Sequence, residues 1–136
     1  MDNEKVNAIL ELLFEDDPGD ADLLKETLCR EQDPSFIVEN VPRFEEGLAR
    51  LKSGGVDLVL LDLSLPDSHG FDTFAKVYMA ASSLPIVVLT GLDDQSMALE
   101  AVKRGAQAAN RKSTAMMMKL AKARRFFRNW PHTSAQ

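Results

Sequence analysis

The sequence predicts an α/β fold in which helices cover both faces of a parallel sheet. Three observations support this prediction. Short apolar runs alternate with amphipathic stretches, the run Leu58–Leu61 is apolar throughout, and so is the run Pro85–Leu89. Runs of this kind are typical of central strands in a parallel sheet, because such strands are buried on both faces. Their alternation with helices favours right-handed strand–helix–strand crossovers.

Length and composition fit one soluble domain. The chain has 136 residues, of which 45% are hydrophobic and 27% are charged, as is ordinary for a globular protein. No apolar run approaches the roughly 20 residues that span a bilayer, and the acidic, polar amino terminus is unlike a secretory signal. The single cysteine, Cys29, cannot form an internal disulfide. We therefore expect one cytoplasmic domain over residues 1–136, with no output domain and no membrane partner.

Up to residue 102, the sequence indicates where strands and helices lie. A strand is predicted to end at Leu12-Leu13-Phe14, directly before the acids Glu15-Asp16-Asp17. Pro18-Gly19-Asp20 is predicted to form a turn, with Asp20 as the candidate cap of the first helix. Further strands are expected at residues 35–38, 58–62 and 85–90. Three further helices are indicated by apolar residues at helical spacing: Phe44, Leu48 and Leu51; Phe71, Phe74 and Tyr78; Ala98, Ala101 and Val102.

Residues 108–136 depart from this regular pattern. The stretch Ala108–Lys112 has little strand character, so the fifth strand is predicted to be atypical. Residues 1–100 carry 7 Lys/Arg and all 21 Asp/Glu, a net charge of −14, whereas residues 101–136 carry 9 Lys/Arg and no acid. If the fifth strand fails to pair, the fourth becomes an exposed edge. Opposite charges then favour a homodimer through the fourth helix and the carboxyl-terminal segment.

Acidic and hydroxyl side chains follow three of the predicted strands. Glu15 and Asp16 follow the first, Asp62 ends the third, and Thr90 ends the fourth. Ligands bind at the carboxyl ends of the strands in an open parallel sheet. Carboxylates gathered there repel one another unless a cation neutralises them, and hard oxygen ligands with open positions suit Mg²⁺. The pattern predicts a magnesium site at this edge.

Three motifs, in this order, give the sequence a family resemblance. They are the acidic turn Phe14–Asp20, the strand and loop Asp57–Gly70, and the strand Pro85–Gly91; the stretch Ala101–Gln107 also matches. Together they resemble the response-regulator receiver domain of two-component signal transduction. The resemblance implies a flavodoxin-like, doubly wound sheet with strand order 2-1-3-4-5.

The resemblance also implies a role for each matching residue. Asp62 would accept a phosphoryl group from a histidine kinase or phosphotransfer protein and pass the signal to a downstream protein. Mg²⁺ would be held by Asp16 directly, by Glu15 through water, by Asp62 and by the Ser64 backbone carbonyl. The hydroxyl of Thr90 and the amine of Lys112 would contact the phosphoryl group.

The family pattern breaks after Gln107. Ala109 stands where the family has an aromatic residue that moves with the threonine, so the usual coupling to Thr90 is not expected. Two other functions stay open. One is a receiver-like interaction module that no longer cycles phosphate. The other is a Mg²⁺-dependent phosphohydrolase, which is disfavoured because Ser64 replaces the second carboxylate two residues after Asp62. The alternating bases and aromatics of Arg124–Arg128 favour a solvated helix face over nucleic-acid binding.

Overall fold

The computed structural model describes residues 9–28, 36–90, 95–106 and 108–111. Five parallel strands form one sheet in the order β2-β1-β3-β4-β5. The strands are β1 Ile9–Phe14, β2 Phe36–Val41, β3 Leu58–Asp62, β4 Ile86–Thr90 and β5 Ala108–Arg111. The helices are α1 Pro18–Leu28, α2 Phe44–Lys52, α3 Phe71–Ala80 and α4 Gln95–Lys103. The predicted doubly wound order 2-1-3-4-5 is confirmed.

The core lies on both faces of the sheet, as the apolar β3 run predicts. All five residues of β3 are buried. Leu58 and Leu60 pack in a cluster with Leu24 of α1, whereas Val59 and Leu61 belong to a second cluster on the opposite face. The second cluster includes residues of three helices: Phe44 of α2, Phe74 and Val77 of α3, and Ala101 of α4. The central strand is therefore apolar at every position because helices cover it from both sides.

The fifth strand is more regular than its residues predict. Ala108 to Arg111 pair in parallel with Val87 to Thr90, so β4 is not an edge of the sheet. The condition under which β4 would become an exposed edge is therefore not met by these four residues. Low strand propensity is overridden here because the apolar β4 offers a continuous row of backbone donors and acceptors. Lys112 and the helix face predicted at Arg124–Arg128 lie outside the described residues.

The first helix begins earlier than its sequence indicates. Pro18 is its first residue, and the Asp20 N–H donates to the Asp17 carboxylate at 3.0 Å. Asp17 is thus the cap, and the assignment of Asp20 to that role is wrong. Proline suits the first helical position because its missing N–H would have no helical acceptor there. An aspartate directly before it can then accept from the third residue of the helix.

The loop that follows β3 folds back on itself. Ser64–Leu65 pairs antiparallel with Ser68–His69, and the Gly70 N–H donates to the Leu63 carbonyl at 2.7 Å. Gly70 adopts φ 75°, a conformation that a residue with a Cβ rarely adopts. The loop therefore has a defined shape at the end of the central strand.

In the described part of the chain, every helix is too short or too polar to cross a membrane.

Candidate functional site

The ends of two adjacent strands bring three acids together. Phe14, the last residue of β1, is in register with Leu61 of β3. Glu15 and Asp16 directly follow β1, and Asp62 is the last residue of β3, so the three acids lie side by side at the carboxyl edge of the sheet. One carboxylate oxygen of each of these three residues lies within 4.8 Å of the other two. The acidic cluster predicted at the carboxyl edge of the sheet is present.

The three acids differ in exposure. The Asp62 residue is 5% exposed and Glu15 is 1% exposed, whereas Asp16 is exposed to solvent. Two buried carboxylates beside an exposed one form a site that is anchored in the protein and open on one side. Hard oxygen donors with an open side fit Mg²⁺, which binds through few carboxylates and keeps several waters. The residues present therefore fit a magnesium ion.

Backbone N–H groups orient the buried carboxylates. The Ser64 N–H donates to the Asp62 Oδ1 atom at 2.9 Å, and the Asp17 N–H donates to the Glu15 Oε2 atom at 3.1 Å. Each bond spans two residues, so each acid is held by the turn that follows it. Hydrogen bonds from the backbone offset part of the cost of burying a charged group. These two hydrogen bonds therefore orient both side chains at the carboxyl edge of the sheet.

The backbone at the end of β1 is also tied to β2. The Glu15 N–H donates to the Val41 carbonyl at 3.1 Å. The Asn40 side-chain amide donates to the carbonyls of Leu13 and Glu15, at 3.0 and 3.1 Å. Asn40 could not be predicted from the sequence, because an asparagine in a strand carries no local signal for a contact 25 residues away. Hydrogen bonds with β2 thus hold the backbone of the acidic turn in place.

Asp67 ties the loop after β3 to the start of α2. Its two carboxylate oxygens accept from the N–H groups of Phe44 at 2.7 Å and Glu45 at 3.1 Å. Arg43, at the N-cap position of α2, makes no side-chain capping bond among the described residues, so Asp67 supplies the cap from another part of the chain. The Phe44 N–H, followed by that of Glu45, holds the pKa of Asp67 below its ordinary value of 3.8 despite opposing desolvation.

This cap predicts a dependence of stability on pH. Because the folded-state pKa of Asp67 is lowered, the ionised carboxylate stabilises the folded protein above pH 3.8, and this contribution is lost as the pH falls through the lower folded-state pKa. We expect Asp67→Asn to be less stable than the wild type at neutral pH, with the difference shrinking below pH 3.8. Urea unfolding across this pH range measures it.

Asp72→Asn provides the control for this prediction. Asp72 also lies in the first turn of a helix, but its carboxylate faces Lys76 at the surface, at 3.6 Å. Its effect on the free energy of unfolding should be small, because exposed ion pairs contribute little. A difference between Asp67→Asn and the wild type that stays constant across the acid range would contradict the assignment of the cap.

The structure describes only part of the remaining predicted site residues, which are Thr90, Lys112 and Ser64. Thr90 is the last residue of β4, and its neighbour Leu89 is in register with Asp62, so the backbone of Thr90 reaches the same edge. The Thr90 side chain and all of Lys112 lie outside the described part. Ser64 follows Asp62 closely, and its N–H contacts Asp62, whereas the role of its carbonyl as a metal ligand stays a prediction.

A comparison with protein families decides the broader identity. Residues 12–122 match the response regulator receiver domain family. The chain belongs to this family. The match includes Glu15, Asp16, Asp62 and Thr90, and it extends beyond the described residues into the basic carboxyl-terminal segment. The family resemblance stated from the sequence is confirmed.

Curated relatives agree with the family assignment. The chain is 34% identical over 96 residues to the swarming motility regulation protein RssB of Serratia marcescens, which covers 70% of the chain and 42% of that protein. It is 38% identical over 80 residues to the cell cycle transcriptional regulator CtrA of Caulobacter vibrioides, covering 59% of the chain and 33% of that protein. The chain therefore spans less than half the length of these relatives.

Solved structures share the fold. The receiver domain protein (CheY-like) of Methanospirillum hungatei superposes with a TM-score of 0.71 at 23% identity, covering 95% of this chain and 99% of that chain. The phosphorylated cyanobacterial phytochrome response regulator RcpA gives a TM-score of 0.74 at 24% identity, covering 90% and 95% of the two chains. The fold of this chain is thus shared by proteins of low sequence identity.

Proposed function

We propose that this receiver domain accepts a phosphoryl group on Asp62 with the help of Mg²⁺. The observation that supports the proposal is the cluster of Glu15, Asp16 and Asp62, whose carboxylate oxygens lie within 4.8 Å of one another. Receiver domains are signalling domains rather than enzymes in the usual sense. The protein would therefore catalyse at most its own phosphorylation and dephosphorylation.

The acidic cluster would hold the metal. Asp16 and Asp62 would bind Mg²⁺ directly, Glu15 through water, and the Ser64 carbonyl would complete the protein ligands. When bound, Mg²⁺ neutralises negative charge on the transferring phosphoryl group. The proposal also accounts for the unequal burial of the acids, because the exposed Asp16 is on the side from which an ion and a phosphodonor can enter.

Asp62 would act as the nucleophile. A carboxylate oxygen of Asp62 forms a bond to phosphorus while the bond from phosphorus to the donor breaks and the donor leaves with that electron pair. The Ser64 N–H holds the carboxylate at Oδ1, which limits its rotation before the reaction. Thr90 and Lys112 would donate hydrogen bonds to the phosphoryl oxygens, as stated from the family pattern.

Family membership implies an interaction with a histidine kinase or a phosphotransfer protein. We propose such a protein as the phosphodonor and an unidentified protein as the recipient of the signal. The single-domain organisation over residues 1–136, a cytoplasmic location and a homodimer through α4 and the carboxyl-terminal segment stay predictions from the sequence. The regular pairing of β5 with β4 removes the exposed strand edge as a reason for the homodimer, and the charge asymmetry is what still supports it.

Incubation with acetyl phosphate and Mg²⁺, followed by intact-mass measurement, tests the proposed function. The expected result is the addition of one phosphoryl group, which is lost again on standing because acyl phosphates hydrolyse. A mass that stays unchanged with Mg²⁺ bound would favour an interaction module. Sustained turnover of a phosphate ester would favour a phosphohydrolase.

Two neighbouring acids should respond differently to the same substitution. We expect Asp16→Asn to weaken Mg²⁺ binding strongly, because it removes a charged ligand from a site with few protein ligands. Asp17→Asn should change the affinity little, because asparagine caps a helix as well as aspartate does and the Asp17 carboxylate faces the Asp20 N–H. Calorimetric titration with Mg²⁺ measures both, and equal losses would contradict the ligand assignment.

A further inference from the structure

The side chain of Asn40 makes two hydrogen bonds at the edge of the acidic site. Asn40 lies on β2 in register with Leu13 of β1. Its Nδ2 atom donates to the Leu13 carbonyl at 3.0 Å and to the Glu15 carbonyl at 3.1 Å. One side-chain nitrogen thus holds two backbone oxygens of the neighbouring strand and uses both of its N–H groups.

The second of these carbonyls belongs to the site itself. The Glu15 carbonyl is part of the peptide group that joins Glu15 to Asp16, and a peptide group is planar. A hydrogen bond to its oxygen therefore fixes the orientation of the link between the two acids. Together with the bond from the Glu15 N–H to the Val41 carbonyl, at 3.1 Å, it holds both sides of Glu15 against β2.

The three carboxylates need such a restraint. Like charges within a few ångströms repel one another, and a turn without external contacts would relieve the repulsion by moving Glu15 and Asp16 away from Asp62. A binding site that is held in its bound shape avoids this ordering cost when the ligand arrives. Asn40 can restrain the turn without adding charge, because a primary amide has two N–H donors and is neutral.

We propose that Asn40 is a positioning residue for divalent-metal binding by Glu15 and Asp16. The inference rests on the proposed function, since it assumes that these acids bind Mg²⁺. A lysine at this position would compete with the metal for the carboxylates, and an aspartate would place a fourth negative charge beside two carbonyl oxygens. Leucine has nearly the same size and removes both hydrogen bonds.

Calorimetric titration with Mg²⁺ alone tests the proposal. We expect Asn40→Leu to weaken Mg²⁺ binding about 10- to 100-fold, the range typical for loss of a residue that orients metal ligands. Asn40→Ser should lie between the leucine variant and the wild type, because serine keeps one donor on a shorter side chain. Circular dichroism and thermal unfolding without metal would show that each variant is folded.

Arg50→Met provides the matched control. Arg50 joins α2 to β2 through Glu39, with 2.7 Å between the Arg50 Nε and Glu39 Oε2 atoms, so its loss also removes a polar contact of β2. Its effect should appear in the unfolding midpoint while the Mg²⁺ affinity stays at the wild-type value.

Each outcome has a distinct meaning. Wild-type affinity in folded Asn40→Leu would overturn this inference alone. If the leucine variant does not fold, the serine variant decides, and wild-type affinity there would overturn the inference. A wild-type protein that binds no Mg²⁺ would overturn the proposed metal site and this inference with it. An equal loss of affinity in Arg50→Met would show that general loosening of β2 is responsible, which also overturns the specific role of Asn40.

Discussion

Asp62→Asn will gain no phosphoryl group when the protein is incubated with acetyl phosphate and Mg²⁺, whereas the wild type will gain one. The amide that replaces the carboxylate lacks the nucleophilic oxygen, although it can still accept the Ser64 N–H that Asp62 accepts at 2.9 Å. The substitution therefore removes the chemistry while keeping the local turn. Intact-mass measurement is the readout, and the expected loss of labelling is complete.

Asp67→Asn is the matched control for this experiment. Asp67 is an aspartate of the loop that follows Asp62, but its carboxylate accepts from the N–H groups of Phe44 and Glu45, so it is directed to α2. We expect Asp67→Asn to be labelled as the wild type is. Labelling that persists in Asp62→Asn would show that another residue is the acceptor. Loss of labelling in both variants would show that loop geometry is limiting.

Most of the fold could be predicted because burial leaves a local pattern. The strand β3 is apolar at four consecutive positions because helices cover it on both faces, and such runs are typical of central strands in a parallel sheet. The strand β5 could not be predicted in the same way. Its residues, Ala108–Arg111, have low strand propensity, and its pairing depends on β4, which lies in a different part of the sequence.

The site residues, too, could be predicted from the sequence only where their signal lies in the neighbouring residues. Glu15, Asp16 and Asp62 could be predicted because they directly follow apolar strands, and neighbouring parallel strands end at the same edge. Asn40 and Asp67 could not, because each acts on backbone atoms that are 22 or more residues away. An isolated polar residue in a strand or loop has many possible partners. Its contact becomes visible only when the register of the strands is known.

Gly47 is a position where the fold controls the site through packing. It is buried within α2, and a Cβ atom added there would overlap the ring of Phe14. Phe14 is fully buried and also contacts the ring of Phe44, with 6.1 Å between the ring centroids. Because Phe14 directly precedes Glu15, the close approach of α2 to β1 at this glycine fixes where the acidic turn begins.

We expect Gly47→Ala to lower the free energy of unfolding by about 1–3 kcal/mol, the usual cost of overfilling a packed core. Alanine is favoured over glycine in a helix by about 0.5–1 kcal/mol, but this gain is smaller than the cost of displacing a buried ring. The shift of Phe14 should also weaken Mg²⁺ binding through Glu15. Urea unfolding and calorimetric titration measure the two effects.

A double mutant separates the overlap with Phe14 from other effects at Gly47. If the ring is the obstacle, Phe14→Leu should relieve part of the cost of Gly47→Ala, because leucine leaves room for the added methyl group. The combined loss of stability should then be smaller than the sum of the two single losses. Losses that add to within about 0.5 kcal/mol would contradict the direct contact. A stabilised Gly47→Ala would contradict the prediction and show that α2 can move away from β1 at little cost. In that case the Mg²⁺ affinity should stay at the wild-type value as long as Glu15 keeps its place beside Asp62.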